Sequence, residues 1–465
     1  MEKLVNYNNI KTYLDWNYKS KDLYSSGYEE YYPFFNQYKK EKFLNLLNED
    51  QLKAIDDNYN VYRSVNIFPI FYYTENGILE EIKKCYNRDV EFSGNTLDLK
   101  YKQGNTLLKF LFPNFHRSSY GHRENPINSF DKFYKNGWLK EIIAFQLKYD
   151  SAIPLRLLST MNLYRQRTPN NFNPMKAKAL YERYCPKDGI IYDFSCGYGG
   201  RMLGALTSKN NYKYIGVEPN SETFDNLLIL GNFIEISLQK LNTFDIYKDV
   251  SENYIAEKNS IDFAFSSPPY FDLEKYSDED TQCYIRYPEI NEWFENYVTP
   301  TINNIHYGLK DDAYYAVNIA DFNVPGIGRI NLVDRWTEIS ERIGFDLVDH
   351  LYMKLSNRGG RRRSGKTGGF NKKEESIYVF KKVDKHNSNN YKNRNIPKYI
   401  EDKVKIYNDC IQTANDMEND IIEWYIKYSN NLNLDKSIIT QILKTTSEYN
   451  NLEEAIHKLN KLLKE

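Results

Sequence analysis

From about residue 151 onward, short apolar runs alternate with amphipathic stretches. Ile190 to Phe194, Lys213 to Val217, Asn242 to Ile246, Ile261 to Phe265 and Tyr314 to Ile319 have the length and the β-branched or aromatic content of buried strands. Between them, Gly197 to Leu206 reads as a turn and helix, and Glu222 to Glu235, Trp293 to Ile305 and Leu332 to Ile343 read as helices. Asn173 and Pro174 supply an N-cap and a first-turn proline for a helix over Met175 to Tyr184. Such alternation predicts an α/β domain whose parallel sheet is covered on both faces. Asp346 to Leu355 and Ser376 to Lys381 have only a loop between them, which predicts an antiparallel hairpin at the edge of the sheet.

The flanks have a different pattern. Residues 1–150 are polar, rich in aromatics and mostly helical: Phe43, Leu44, Leu46 and Leu47 suggest one amphipathic helix, and Trp138, Ile142, Ile143 and Leu147 another. A polar stretch rich in Asn and Lys over 385–398 reads as a linker. Val404, Tyr407, Ile411, Ala414, Ile421 and Tyr425, then Leu452, Ile456, Leu459 and Leu463, predict a small helical unit over 399–465. The expected organisation is a helical region at 1–150, an α/β domain at 151–384, the linker and the C-terminal helices.

Composition narrows this little. Of 465 residues, 62 are basic and 63 acidic, so nucleic-acid binding would have to rest on local patches. The 42 tyrosines we attribute to codon usage. Five scattered cysteines without a C-x-x-C pair support neither a zinc site nor a disulfide framework, and predict a reducing, cytoplasmic setting. His116 and His122 lack a third ligand nearby and read as surface histidines, so no metal is expected. No apolar run approaches the ~20 residues a spanning helix needs, so no membrane association is expected.

Two stretches carry chemistry. Tyr192-Asp193-Phe194-Ser195-Cys196-Gly197-Tyr198-Gly199-Gly200 is a strand feeding a glycine turn and a helix, where backbone N–H groups are free and a ligand can approach closely. The next strand ends at Glu218, where a carboxylate can grip a ribose diol about 20 residues past the glycines. A dinucleotide site shares both features, but Met202 stands where its third glycine belongs. The second stretch is Ser266-Ser267-Pro268-Pro269-Tyr270, at the exit of a strand. An exocyclic base amine is a poor nucleophile because its lone pair is delocalised. Acceptors on its hydrogens, here the Ser267 hydroxyl and the Pro268 carbonyl, would draw the nitrogen towards a tetrahedral form. Pro269 stiffens the loop and has no N–H, and Tyr270 can stack on a base for roughly 1–3 kcal/mol.

Together, over about 170 to 382, these motifs resemble the DNA amino-methyltransferases within the larger S-adenosylmethionine-dependent class. The resemblance implies a Rossmann-like, seven-stranded class I methyltransferase sheet with S-adenosylmethionine as cofactor. In that reading Asp193 to Gly199, including Ser195 and Gly197, hold the methionine end. Glu218 holds the ribose, Asp245 meets the adenine, and Phe172, Asn173, Pro174 and Ser266 complete the cofactor site. Ser267, Pro268, Pro269 and Tyr270 form the catalytic motif, with serine in first position leaning towards cytosine N4 over adenine N6. Departures are Asp193-Phe194-Ser195, where many members have Asp-Pro-Phe, and the large N-terminal region, which matches no module of the family.

Between the last two strands Arg358, Arg361, Arg362, Arg363 and Lys366 lie in a glycine-rich stretch, flanked by Lys354, Lys372 and Lys373 and free of acids. This stretch is expected to hold DNA phosphates. A base in a duplex would have to be flipped out, or the DNA be single-stranded. The expectation is thus a DNA base-amine methyltransferase, of the kind found in restriction–modification. The alternatives are an RNA methyltransferase using the same chemistry, or an inactive cofactor-binding module on nucleic acid.

Overall fold

The computed structural model describes residues 32–383 apart from 67, 72, 98–100, 122–126, 136, 165–167 and 355–373. The basic stretch with Arg358, Arg361, Arg362, Arg363 and Lys366, the linker, the C-terminal helices and His122 lie outside the described residues. The chain divides into two compact units, Met1–Lys385 and His386–Glu465, and every described residue belongs to the first.

Twelve strands occur in the described residues. They are β1 (Thr96–Leu97), β2 (Ser119–Tyr120), β3 (Ile190–Asp193), β4 (Lys213–Val217), β5 (Phe244–Tyr247), β6 (Ile261–Ser266), β7 (Glu274–Lys275), β8 (Leu309–Asn318), β9 (Phe322–Val324), β10 (Gly328–Ile330), β11 (Phe345–Lys354) and β12 (Glu374–Lys382). The main sheet has eight strands in the order β1-β11-β12-β8-β6-β3-β4-β5. Pairing is parallel from β8 through β6, β3 and β4 to β5, and β12 is antiparallel to both its neighbours. Apolar runs buried on both faces account for the parallel strands: in β6, Ile261, Phe263, Ala264 and Phe265 are all fully enclosed. Helices Pro174–Tyr184, Gly200–Leu206, Ser221–Leu238 and Leu332–Ile343 alternate with these strands. The α/β, Rossmann-like architecture expected from the sequence is present, a mostly parallel sheet with alternating helices. Strand order reverses around β3, which has β4 on one side and β6 on the other. Such a switch point opens a crevice at the carboxyl ends of the strands.

Two expectations need correction. The β11–β12 hairpin is not the sheet's edge: β12 inserts between β11 and β8, and β1 pairs in parallel outside β11. The eighth strand is therefore supplied by the N-terminal region, with Tyr352 N–H donating to the Asn95 carbonyl at 2.9 Å. His116 is not a surface residue. It is buried against the rings of Phe68 and Phe115, with Nε2 3.2 Å from the Lys109 carbonyl. Burial and the nearby Lys109 push its pKa down to about 3, so it is neutral.

The N-terminal region shares its core with the sheet. Ile78 and Ile82 of helix Glu75–Asn87, and Leu107 and Leu108 of Asn105–Leu111, join Leu203, Leu230 and Phe263 in one apolar cluster. The buried Lys178 ammonium donates to the carbonyls of Cys85, Tyr86 and Arg88, at 3.1, 3.1 and 2.7 Å, where the Glu75–Asn87 helix ends. A cation there satisfies carbonyls left without helical partners and opposes the helix dipole. The helix over Trp138–Leu147 forms as its spacing predicts, with Ile142, Ile143 and Leu147 fully buried. The segment around Phe43 divides instead into Lys40–Leu44 and Asn48–Val65, leaving Leu44 and Leu47 exposed. Among the described residues no helix is long and apolar enough to cross a membrane.

A shared core has a measurable consequence. Ile82→Ala is expected to cost about 2–5 kcal/mol. In urea, the near-ultraviolet signal of Trp293 and Trp336, both buried on the far side of the sheet, is expected to be lost at the same reduced midpoint as helical signal.

Candidate functional site

The crevice at the switch point is organised by Asp193. This carboxylate is fully buried and accepts hydrogen bonds from Arg201 Nε at 2.8 Å, Tyr214 Oη at 2.6 Å and Ser195 N–H at 3.2 Å. The Arg201 guanidinium also donates to the Ser195 carbonyl. One acid thus ties the end of β3 to the next helix, to β4 and to the turn between them. A buried pair is tolerable only when each charge is compensated and hydrogen-bonded, and here both are. The turn bends at Gly197 (φ 54°) and Gly199 (φ 69°), a region disfavoured for residues with a Cβ. A Cβ at Gly199 would lie 2.6 Å from Leu230 Cδ2, so this glycine is needed for packing. A Cβ at Gly197 would meet only Arg201 Nη2, at 4.0 Å. That side of the turn is open.

Glu218 lies just past β4, facing the same opening. Its Oε2 accepts Gly197 N–H at 2.9 Å and its Oε1 accepts Asn220 N–H at 3.0 Å. Each oxygen keeps a further lone pair, which suits two neighbouring hydroxyls. Burial pushes the carboxyl up to about 7, opposed by these two N–H donors.

A cavity of about 400 Å³ runs from this turn to the end of β6. Of the residues singled out in the sequence, Phe172, Ser195, Gly197, Glu218, Ser267, Pro269 and Tyr270 line it. Asp193, Gly199, Ser266 and Pro268 do not line it; all four are buried, and Ser266 Oγ donates to the Ser195 carbonyl at 3.2 Å. Asn173 caps helix Pro174–Tyr184 by accepting Lys176 N–H, and its amide donates to the Tyr101 carbonyl. Neither Asn173 nor Pro174 reaches the cavity, whereas Asn170 and Asn171 do. Asp245 forms an ion pair with Lys213 at 2.8 Å, outside the cavity, and Val250, Ser251 and Glu252 stand there instead. The reason is geometric: Asp245 is inside β5, and the crevice opens only past the strand's carboxyl end.

At the other end, the parallel register pairs Ser266 with Val317, which sets Ser267 beside Asn318. Ser267 Oγ donates to Asn318 Oδ1 at 3.3 Å, Asn318 Nδ2 donates to the Ser376 carbonyl at 2.8 Å, and Tyr270 Oη donates to the Asn318 carbonyl at 3.1 Å. The bond to Ser376 orients the amide so that its oxygen takes the Ser267 proton. The lone pairs of Ser267 are then left as acceptors. The Tyr270 ring stacks on Phe322, with centroids 6.1 Å apart and planes at 20°. Asn318 lines the cavity and was missed by sequence reasoning; an asparagine ending a strand carries no local signal.

The third wall was also missed. β2 and β7 form a two-residue antiparallel ladder that pairs Tyr120 with Glu274, and both line the cavity. Glu375, at the start of β12, and Tyr276 stand on the same wall. Tyr276 Oη donates to Glu274. Beyond them, Glu279 accepts from Ser221 N–H at 3.1 Å and from the Asn220 amide at 3.0 Å, holding the segment after Tyr270 against the start of helix Ser221–Leu238. A carboxylate at that position also opposes the helix dipole. Among the described residues no group of three or more His, Cys, Asp or Glu side chains is placed to hold a metal ion.

No protein-family model and no curated protein sequence matches the chain. Solved structures do. A TehB-like SAM-dependent methyltransferase from Corynebacterium glutamicum is 16% identical over 46% of this chain and 89% of its own, with a TM-score of 0.27. A methyltransferase from Pyrococcus furiosus is 12% identical over 45% of this chain and 83% of its own, with a TM-score of 0.30. A Burkholderia thailandensis 1,6-didemethyltoxoflavin-N1-methyltransferase, solved with S-adenosylhomocysteine, is 12% identical over 45% and 77%, with a TM-score of 0.27.

Asp193→Asn leaves the Arg201 charge buried without its counter-ion. It is expected to destabilise the protein by roughly 3–5 kcal/mol in urea unfolding.

Proposed function

We propose that this cavity binds S-adenosylmethionine at its Glu218 end and a DNA base at its Ser267 end, and that the chain methylates the exocyclic amine of that base, cytosine N4 in preference to adenine N6. The observation that carries this reading is the Ser267–Asn318 hydrogen bond, which leaves a hydroxyl as an acceptor in the same cavity as a diol-binding carboxylate. The donor set suits the cofactor: Glu218 retains acceptor capacity for a ribose, and the open face of Gly197 admits a ligand against the backbone. The cofactor supplies an electrophilic methyl group on a positively charged sulfur.

The chain's part is positioning and polarisation. Ser267 accepts one amine hydrogen, which draws the nitrogen lone pair out of the ring; the Pro268 carbonyl expected from the sequence as second acceptor does not line the cavity. Tyr270, held by Phe322 and the Asn318 carbonyl, stacks on the base. The methylated nitrogen is a strong acid and loses its proton by way of the Ser267 hydroxyl, so no strong base is needed. No cysteine nucleophile is needed either: burial pushes the thiol of Cys283, which lines the cavity, up to about 12. The basic residues from Arg358 to Lys366 belong to this reading as phosphate contacts, because the stretch joins β11 to β12, and Glu375 and Ser376 at the start of β12 meet the cavity and Asn318.

Tritiated-methyl transfer to DNA tests the reading. Ser267→Ala and Asn318→Ala are each expected to lower kcat by about 10²-fold or more, by analogy with removing one preorganised hydrogen-bonding group, while S-adenosylhomocysteine binding is kept. Unchanged transfer in both variants contradicts the assignment, and transfer to RNA but not DNA would replace the substrate. Cofactor binding has its own signature. Glu218 must be ionised to accept from a diol, so affinity for S-adenosylhomocysteine is expected to fall as pH drops below about 7 and to level off above it. Glu218→Gln is expected to bind weakly at every pH.

A further inference from the structure

The cavity wall built by β2, β7 and the start of β12 holds polar groups that the transfer chemistry does not use. Antiparallel pairing puts Tyr120 directly opposite Glu274, and directly opposed residues project from the same face of a ladder, so both reach the cavity together. The ladder is extended by Gly121 N–H, which donates to the Leu273 carbonyl at 2.8 Å. Glu274 is thereby fixed by backbone pairing to a segment about 150 residues away in sequence, not left on a free loop. Glu375 stands close by on β12, and both carboxyls lie near enough to Tyr270 to bear on its ionisation. Two acids in one enclosed space cannot both be charged without mutual cost, so the pair is biased to keep a proton.

We propose that Glu274 reads the Watson–Crick edge of the target base as a neutral carboxylic acid, selecting a base whose amine lies beside an acceptor ring nitrogen on that edge, cytosine or adenine, over guanine. The inference rests on the base-methylation reading above. A neutral carboxyl offers one O–H donor and one carbonyl acceptor side by side. That pair matches cytosine N3 with N4, or adenine N1 with N6: the O–H donates to the ring nitrogen and the carbonyl accepts one amine hydrogen. The other amine hydrogen remains for Ser267. Where its amine meets the Watson–Crick edge, guanine presents donors at both N1 and N2, and a neutral acid cannot match that pair. An ionised carboxylate would invert the preference.

The surroundings agree. Among the described residues, charged and titratable groups around Glu274 include Tyr276 on its own segment, Tyr120 across the ladder, Tyr198 within the glycine turn, Tyr270 after β6, and Glu375 on β12, with Lys176 acting on Glu375. The hydrogen bond from Tyr276 favours the ionised form of Glu274. Burial raises the carboxyl to about 7, with Glu375 adding to it. The active, protonated form is therefore present below that pH and lost above it.

The test uses the full chain, saturating S-adenosylmethionine and three single-stranded oligodeoxynucleotides of thymidine carrying one cytosine, adenine or guanine. Wild type is expected to methylate the cytosine or adenine oligonucleotide and to lose kcat as pH rises from 7 to 9. Glu274→Gln mimics the neutral acid. It is expected to keep rates within about threefold of wild type at pH 6.5 and to lose the alkaline decline. Glu274→Ala is expected to fall by two orders of magnitude in kcat/KM with S-adenosylhomocysteine binding intact. Guanine preferred by wild type, Glu274→Gln as impaired as Glu274→Ala, or an alkaline limb unchanged in Glu274→Gln would each overturn the inference while leaving base methylation standing. Transfer to none of the three, with S-adenosylhomocysteine still bound, would overturn both.

Discussion

Everything in the site depends on one buried ion pair. Asp193 ends β3, and a bare carboxylate there would be prohibitive, because burying an unpaired charge costs far more than it can return. Arg201, in the first turn of the following helix, supplies the counter-charge, and Tyr214 and Ser195 N–H add two further hydrogen bonds. The result is a turn with a single geometry. Gly197 is held open to the crevice, its N–H is aimed at Glu218, and Arg201 is pulled inward against the Ser195 carbonyl. The residue that looks most like a ligand contact in the sequence is thus the one that shapes the others.

Asn318 does the corresponding work at the far end. Its side-chain amide is fixed by the Ser376 carbonyl on β12, and its own carbonyl holds the Tyr270 hydroxyl. The antiparallel insertion of β12 beside β8 therefore bears directly on the motif after β6: the same pairing that completes the sheet sets the proton position on Ser267. β1 then covers the flank of β11, so the N-terminal region both closes the sheet and, through β2, closes the cavity.

Local pattern was enough to find β3, β4, β6 and the helix Leu332–Ile343, because continuous apolar runs and a strong helical stripe are visible without partners. The glycine turn, Glu218 and the Ser267–Tyr270 motif were visible for the same reason: their chemistry is contiguous in the chain. What stayed hidden depends on distant partners. A two-residue strand such as β1 has no periodicity, and its pairing with Tyr352 and Met353 is set by the fold. His116 looked like a surface residue because the rings that bury it come from Phe68 as well as its neighbour Phe115. Asn318, Glu274 and Glu375 carry no motif and meet only where β2, β7, β8 and β12 converge. Asp245 failed as a cavity residue because strand position alone does not say on which side of the carboxyl end a side chain falls.

In the proposed function the two ends of one cavity act together, the Glu218 carboxylate on a ribose diol and the Ser267 hydroxyl on a base amine. A crystal structure of the full chain with S-adenosylhomocysteine tests it most directly. Both ribose hydroxyls are expected on Glu218, with the thioether sulfur facing the space in front of Ser267 and Tyr270. A ribose that does not touch Glu218, or a sulfur turned away from Ser267, would contradict it.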